Sequence, residues 1–324
     1  MYQFYMLHMN NIILGVKSPV TRFSLHVPSE QSNNRVSTSE YRGIYAMIQS
    51  NINGWIRRLT GIGLRELTVV NMSKQCLKLH STIFSCETIT HLQFRNCRLG
   101  LPARFPFTKL LRLECEDISF GPRRRFGDFI RECPLLEDLK IGDNIMSDVT
   151  NDEIGRLKEL KIFHVYLYGL YGETVSGPTL FTLLESLPKL KERHLDFKNC
   201  WVSSRDRMFA TFSGLDSLSL RGIDFSISKE ILCVYDSIGC SPNLRNLRIM
   251  VSYVDEVIAL YLGFGNVDPF DSGEAKSVIM GRLRKLVSVE LELFKGSKNE
   301  LCFIKHILGR DISLEKMGVQ KTRC

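Results

Sequence analysis

Leu136, Leu139 and Ile141 stand at the spacing L-x-x-L-x-[LIV]. Strand side chains alternate with period two, so this spacing turns a short strand and the turn before it toward one apolar side. The spacing returns at Val20/Phe23/Leu25, Leu64/Leu67/Val69, Ile89/Leu92/Phe94, Leu110/Leu113/Cys115 and Leu157/Leu160/Ile162. It returns again at Leu215/Leu218/Leu220, Leu244/Leu247/Ile249, Leu286/Val289/Leu291 and Leu314/Met317/Val319. From Leu64 to Leu314 the chain takes nine steps over 250 residues, counting an irregular unit near Leu190, or about 28 residues per step. A chain built this way buries its core between neighbouring repeats, so the fold is set by stacking and not by one central core.

That period is the leucine-rich one, and it implies an α/β solenoid: parallel strands joined by irregular or helical return segments. Cys133-Pro134, Leu187-Pro188 and Ser241-Pro242 mark re-entry into a strand, where no ladder donor is yet needed. Phe126, Phe129 and Ile130 predict a helical return before Cys133, and Leu180, Leu183, Leu184 and Leu187 another before Leu190. Near the N-terminus, Phe4, Leu7, Ile12 and Ile13 predict a turn or two of helix stopped by Ser18-Pro19. Pro28 to Gly43 reads as an exposed loop, with residues 31–39 its most polar part. Ile44, Met47, Ile48, Ile52, Trp55, Ile56 and Leu59 then define the apolar face of a helix ended by Gly61 and Gly63, with Trp55 as its anchor.

Two units depart from the plan. Counting from Pro188 puts Arg193 at an inward leucine position; counting back from Cys200 uses Leu195 and Phe197 and frees the arginine. The second register is expected, because burying a guanidinium without partners is costly. Tyr253 to Met280 is long for one step and predicts a helix with a Gly-rich bulge at Gly263, Gly265 and Gly273.

Composition narrows function by exclusion. Net charge is +8, from 43 basic and 35 acidic residues of interspersed sign, which does not call for nucleic acid. The one basic run, Arg123-Arg124-Arg125, lacks interleaved aromatics and reads as a solvated loop. Ten cysteines without a C-x-x-C pair are expected as reduced, buried thiols of a cytoplasmic or nuclear protein. The N-terminal apolar run, Ile12 to Val16, is broken by Gly15, so neither a signal peptide nor a membrane span is expected. The sequon Asn71-Met72-Ser73 is then a chance match.

Several stretches together resemble the plant F-box/FBD/leucine-rich-repeat proteins. Phe126-Gly127-Asp128-Phe129-Ile130 with Cys133-Pro134-Leu135-Leu136-Glu137-Asp138-Leu139 is similar to the central repeat of that family. Pro19-Val20-Thr21-Arg22-Phe23-Ser24-Leu25 and Asn53-Gly54-Trp55-Ile56 add to the likeness. Leu286 to Leu291, Phe294-Lys295-Gly296, Glu300 to Lys305, Ile307-Leu308 and Leu314 to Met317 resemble its FBD domain. The resemblance implies a target-recognition subunit of a Skp-cullin-F-box ubiquitin ligase. The nineteen residues before Val20 lack the Leu-Pro start and Ser-Arg-Arg-Trp-like end of an F-box. Binding to the Skp adaptor is therefore not expected, and the alternative is a stand-alone binding scaffold or competitor that holds targets without delivering them.

No constellation points to an enzyme. The motifs G-x-x-x-x-G-K-[ST], G-x-S-x-G and H-E-x-x-H are all missing, and Gly263-Phe264-Gly265 is a lone fragment. The histidines at 8, 26, 80, 91, 164, 194 and 306 show no metal spacing, and Cys86, His91 and Cys97 read as repeat positions, so no cofactor or metal is expected. What remains is a surface. Outward strand positions stack in rows across a parallel sheet. One expected row is Glu66, His91, Arg112, Asp138, Glu159, His194, Ser217, Asn246, Ser288, Lys316; the next is Thr68, Gln93, Glu114, Lys140, Lys161, Asp196, Ser219, Arg248, Glu290. Mixed sign suits a protein partner better than a phosphate backbone. Arg112, Lys140 and Lys161, with Asp138 and Glu159, are the expected contact zone for a target protein.

The organisation expected is a short segment at 1–19, a solenoid at 20–282 with an inserted loop and helix at 28–60, and an FBD-like cap at 283–324. A cap is needed because a last repeat would otherwise expose its apolar flank and strand edge.

Overall fold

The structure, a computed structural model, describes residues 10–29, 38–100, 107–121, 125–142, 145, 149–166, 174–175, 187, 189–196, 201–202, 211–253, 285–308 and 314–321. The return helix expected around Leu180, the insertion from residue 254 to Met280 and the most polar part of the early loop lie outside them. The chain falls into two compact units, Met1–Leu160 and Lys161–Cys324.

In the first unit the strands are β1 (Arg22–Val27), β2 (Glu66–Asn71), β3 (Leu77–Leu79), β4 (His91–Leu99), β5 (Arg112–Phe120) and β6 (Asp138–Gly142). They run β1-β2-β4-β5-β6, with β3 on the far end of β4, and all these pairings are parallel. Leu67, Leu92, Leu113 and Leu139 are mutual register neighbours, as are Val69, Phe94, Cys115 and Ile141, and all eight are buried. The repeated spacing thus becomes two stacked apolar rows on one sheet face.

Helix α1 (Thr38–Thr60) joins β1 to β2 and begins within the stretch expected as loop. Ile48, Ile52, Trp55, Ile56 and Leu59 form its buried stripe. The indole Nε1 of Trp55 donates to Asn10 Oδ1 at 2.8 Å, tying down the helical turn at residues 10–15. One turn apart on α1, Gln49 pairs with both Lys78 N and O, and Asn53 Oδ1 accepts from His80 N. These amides satisfy backbone groups of β3 and of the residue after it that no further described strand meets.

The return side holds an aromatic cluster, Phe84, Phe107, Phe126 and Phe129, in edge-on contacts 5.4–5.9 Å between centroids. Phe126 and Phe129 lie on α2 (Phe126–Arg131), the return helix the sequence predicts. The next helix, α3 (Asn151–Gly155), begins with a Thr150-x-x-Glu153 capping box. Glu153 is buried between Arg125 at 3.3 Å and Arg131 at 3.2 Å. Its carboxylate fills the space beside Gly127, where a Cβ would come within 2.0 Å of Glu153 Oε2. Arg125, expected in a solvated loop, is exposed and also takes part in this helix-to-helix clamp.

In the second unit β7 (Ile162–Tyr166), β9 (Glu192–Asp196), β11 (Ser217–Ile223), β12 (Asn246–Val251), β13 (Ser288–Phe294) and β14 (Lys316–Lys321) follow in that order, all parallel. Two short strands, β8 (Thr174–Val175) and β10 (Trp201–Val202), pair with each other. Helix α4 (Ser228–Gly239) returns the chain from β11 to β12 and buries Ile231, Val234, Tyr235 and Ile238. Helix α5 (Lys298–Leu308) does so from β13 to β14. Ser297 Oγ accepts from Glu300 N and Glu300 Oε2 accepts from Ser297 N, a second capping box. β14 forms the outer edge, so Val319, in an inward slot, is 45% exposed.

Two expected registers are corrected here. Arg193 is fully buried and pairs in register with Phe163 and Leu218, both inward. The leucine spacing Leu190-x-x-Arg193-x-Leu195 prevails over the cost of the charge. Its guanidinium sits 5.3 Å over the Phe212 ring, and burial pushes its pKa down to about 10, so it stays charged at neutral pH. Likewise the inward set before it is Leu160/Phe163/Val165 rather than Leu157/Leu160/Ile162, since Ile162 is half-exposed and aligns with Glu192.

Four of the strands share a bend. Asn96, Asp117, Gly222 and Leu293 have φ of 50, 52, 77 and 60°, and each follows the third outward residue of its strand: Arg95, Glu116, Arg221, Glu292. Asn, Asp and Gly tolerate the left-handed region; leucine does not. Replacing Leu293 by Asn is expected to raise stability by about 1 kcal/mol in urea unfolding. In the same assay Arg193→Met, which fills the leucine slot without a charge, is expected to stabilise by about 1–4 kcal/mol. Arg193→Ala, which leaves a hole, is expected to destabilise by about 2–5 kcal/mol.

Candidate functional site

Because the apolar side chains of each strand face the return segments, the alternate residues form the opposite face of the sheet. In the first unit one row reads Arg22, Glu66, His91, Arg112, Asp138, and the next Ser24, Thr68, Gln93, Glu114, Lys140. From Glu66 and from Thr68 onward these are the rows expected from the sequence; Arg22 and Ser24 extend them onto β1. Arg95 and Glu116 continue into a third.

Within each row, neighbouring strands are tied together. Arg22 binds Glu66, Arg112 Nε lies 2.9 Å from Asp138 Oδ2, and Arg95 lies 3.3 Å from Glu116. Thr68 donates to Gln93, Gln93 donates to Glu114 Oε1 at 3.0 Å, and Lys140 Nζ stands 3.5 Å from the other Glu114 oxygen. The Arg22 hydrogen bond holds the Glu66 carboxyl below its ordinary range. Four cations (Arg22, Arg95, Arg112, Lys140) meet four anions (Glu66, Glu114, Glu116, Asp138), so the face carries no net sign. A phosphate backbone would want one sign.

Arg112 and Asp138 pair with each other in one row, and Lys140, on the same strand as Asp138, pairs in the next row with Glu114, which Gln93 also reaches. Glu159 is not in a strand row: it lies in the turn before Leu160. Lys161 belongs to the second unit, where it precedes β7 and its carbonyl accepts from Lys191 N and Glu192 N.

In the second unit the rows shift by two residues from expectation at β9. Ile162, Glu192, Ser217, Asn246, Ser288 and Lys316 share one row; His164, His194, Ser219, Arg248, Glu290 and Gly318 share the next. His194 and Asp196 each stand one row further along than the count from Leu195 and Phe197 placed them, the direct result of burying Arg193. Arg248 contacts both Glu290 and Glu292, and Lys316 Nζ lies 2.7 Å from Glu290. Hydrogen bonding to Lys316 holds the Glu290 carboxyl low. His164 and His194 stack face to face, with ring centroids 3.9 Å apart and planes within 4°.

Chemistry of other kinds has little to work with among the described residues. Burial pushes the Cys97, Cys115 and Cys133 thiols up, and that of Cys233 to about 12, far from nucleophilic thiolates. Among the described residues no group of three or more His, Cys, Asp or Glu side chains is gathered to hold a metal, and none of the described helices is long and apolar enough to cross a membrane.

With this geometry in hand, comparison with known proteins gives a consistent result. The family model described as "FBD-associated F-box protein At5g56370, LRR repeats" matches residues 52–151, the stretch that carries most of the first unit's strands. The chain is similar to the F-box/FBD/LRR-repeat protein At1g13570 of Arabidopsis thaliana, 23% identical over 303 residues, covering 86% of this chain and 71% of that protein. It is similar to the FBD-associated F-box protein At5g38590 of the same plant, 23% identical over 248 residues, 64% of this chain and 58% of the relative. A third relative, F-box/FBD/LRR-repeat protein At1g78750, is 22% identical over 312 residues, 82% of this chain and 68% of its own length. Together these matches support the plant F-box/FBD/leucine-rich-repeat family, the one the motifs resemble.

The pairing on this face makes unequal demands on its members. Asp138 is nearly buried, whereas Glu114 keeps more solvent. Arg112→Ala is therefore expected to cost about 1–3 kcal/mol in chemical unfolding, and Lys140→Ala less than about 1 kcal/mol.

Proposed function

We propose that this chain, similar over most of its length to plant F-box/FBD/leucine-rich-repeat proteins, is a non-enzymatic scaffold that holds a target protein on the outward face of its strands. What carries the reading is the sign-balanced, cross-strand-paired face of the first unit. Charged groups held in place by neighbours are already oriented, so a partner of complementary pattern meets them without ordering loose side chains. A mismatched partner would instead strand a carboxylate or guanidinium without its mate, which gives discrimination. Arg112 and Lys140, with Asp138, form the contact zone in the first unit; Lys161 is a separate contact in the second.

By the family resemblance the target is one held for ubiquitination, in the cytoplasm or nucleus, although binding of a Skp-type adaptor is not expected from the sequence. The reading of a stand-alone binder or competitor differs in one respect, recruitment of the adaptor. Affinity purification of the tagged chain from plant cells tests both points. Proteins recovered with the wild-type chain are expected to be lost from Arg112→Ala/Lys140→Ala, and reduced from Lys161→Ala tested alone. An unchanged set would remove the contact zone. Recovery of the Skp adaptor alongside the target favours ligase delivery, and its absence with the target retained favours the competitor.

A further inference from the structure

The last strand and last helix of the second unit have no part in that reading, and together they leave one side of the array open. The contacts of α5 fix its rotation. Phe303 packs against Phe225 and Tyr235, with ring centroids 5.3 and 5.7 Å apart, and His306 Nδ1 lies 3.0 Å from the Tyr235 hydroxyl. One flank of α5 therefore meets α4 and the chain leading into it. Leu301, Ile304 and Leu308, three and four residues apart, form a different stripe, which the helical repeat places on roughly the opposite flank. Leu301 is 47% exposed and Leu308 52%. In a repeat array that flank is where a further return segment would pack.

β14 is open on the same count. Lys316 N donates to Val287 O at 3.0 Å, toward β13. Successive N–H groups of a strand point to alternate sides, so those of Met317, Val319 and Lys321 point to the outer edge, where no described strand pairs with them. Val319 stands exposed on the face of the sheet that carries the return helices. Lys305, Lys316 and Lys321 are all exposed, whereas among the described residues from Lys298 to Lys321 the one exposed acid is Glu315. Lysines at an edge oppose pairing with a like-charged strand and leave it open to an acidic one.

We propose that the outer edge of β14 takes up an extended acidic segment of a partner protein as an added strand. The segment's backbone continues the ladder, its alternate apolar side chains pack on Val319 and the Leu301/Leu308 stripe, and its carboxylates meet the lysines. A second copy of the chain is the poorer occupant, because it would bring the same three lysines to the seam. This surface is separate from the contact zone on the first unit and does not depend on it.

Fluorescence anisotropy of the full chain with a labelled peptide of alternating sequence, Glu-Val-Glu-Val-Glu-Val-Glu, tests this. Saturable binding that weakens with added salt is expected, with affinity falling about tenfold in Val319→Glu and in Leu301→Glu/Leu308→Glu. Lys140→Ala, in the first unit, is expected to bind as the wild type does. Three readouts on the unmodified protein hold even if a variant folds poorly: a backbone-N-methylated form of the peptide and a Lys-Val counterpart are expected not to bind, and the acidic peptide is expected to slow amide exchange in residues 314–321. No saturable binding, equal binding of the N-methylated or lysine peptide, unchanged affinity in both edge variants, or unaltered exchange in that segment would each overturn the proposal. Self-association of the chain that Val319→Glu abolishes would also overturn it, by giving the edge to a second copy.

Discussion

The parallel register between successive strands is the constraint on which the described structure depends. Each strand presents two apolar residues one position apart, and only one alignment with its neighbour puts both on the side of the return segments. A slip of one residue would turn Leu113 and Cys115 outward and Arg112 and Glu114 inward. In the first unit the backbone ladder and the apolar rows select the same alignment, and so do the ion pairs on the opposite face. At the β1–β2, β4–β5 and β5–β6 steps three independent interactions thus agree, which is what allows one repeat to template the next.

Where they disagree, the apolar spacing wins. Arg193 occupies an inward slot because Leu190 and Leu195 on either side of it must, and the fold accommodates the guanidinium over the Phe212 ring. Glu153 is the counterpart in the first unit, a buried carboxylate held by Arg125 and Arg131 and accommodated by the missing side chain of Gly127. Buried charges of this kind specify an arrangement more than they add stability. Both lie on the return side of the sheet, away from the outward rows, so those rows can carry recognition without carrying the core.

The bend in the strands belongs to the same logic. After three outward residues four of the strands pass through a left-handed residue, which interrupts the ladder before pairing resumes just beyond it. Asn96, Asp117 and Gly222 suit the conformation, and Leu293 does not; it stands in the stretch that resembles an FBD domain, next to the edge strand β14. Edge and strain therefore meet where the array ends, while the repeats before it are locally consistent.

The leucine spacing by itself determined the parallel α/β repeat, the helix around Trp55, the return helix at Phe126 and both outward rows of the first unit, because all of these follow from which residues must be apolar at which period. It could not decide the register at Arg193. A local count weighs the cost of a buried cation but cannot see Phe212, which lies some twenty residues away in sequence and is brought beneath the guanidinium only by the fold. That single choice moved His194 and Asp196 along one row, and with them came the pairing of His194 with His164. The exchange of partners among Arg112, Asp138, Glu114 and Lys140, and the shelter of Glu153 between two arginines, were likewise settled in three dimensions, since distance between side chains on different strands is fixed by packing and not by spacing along the chain.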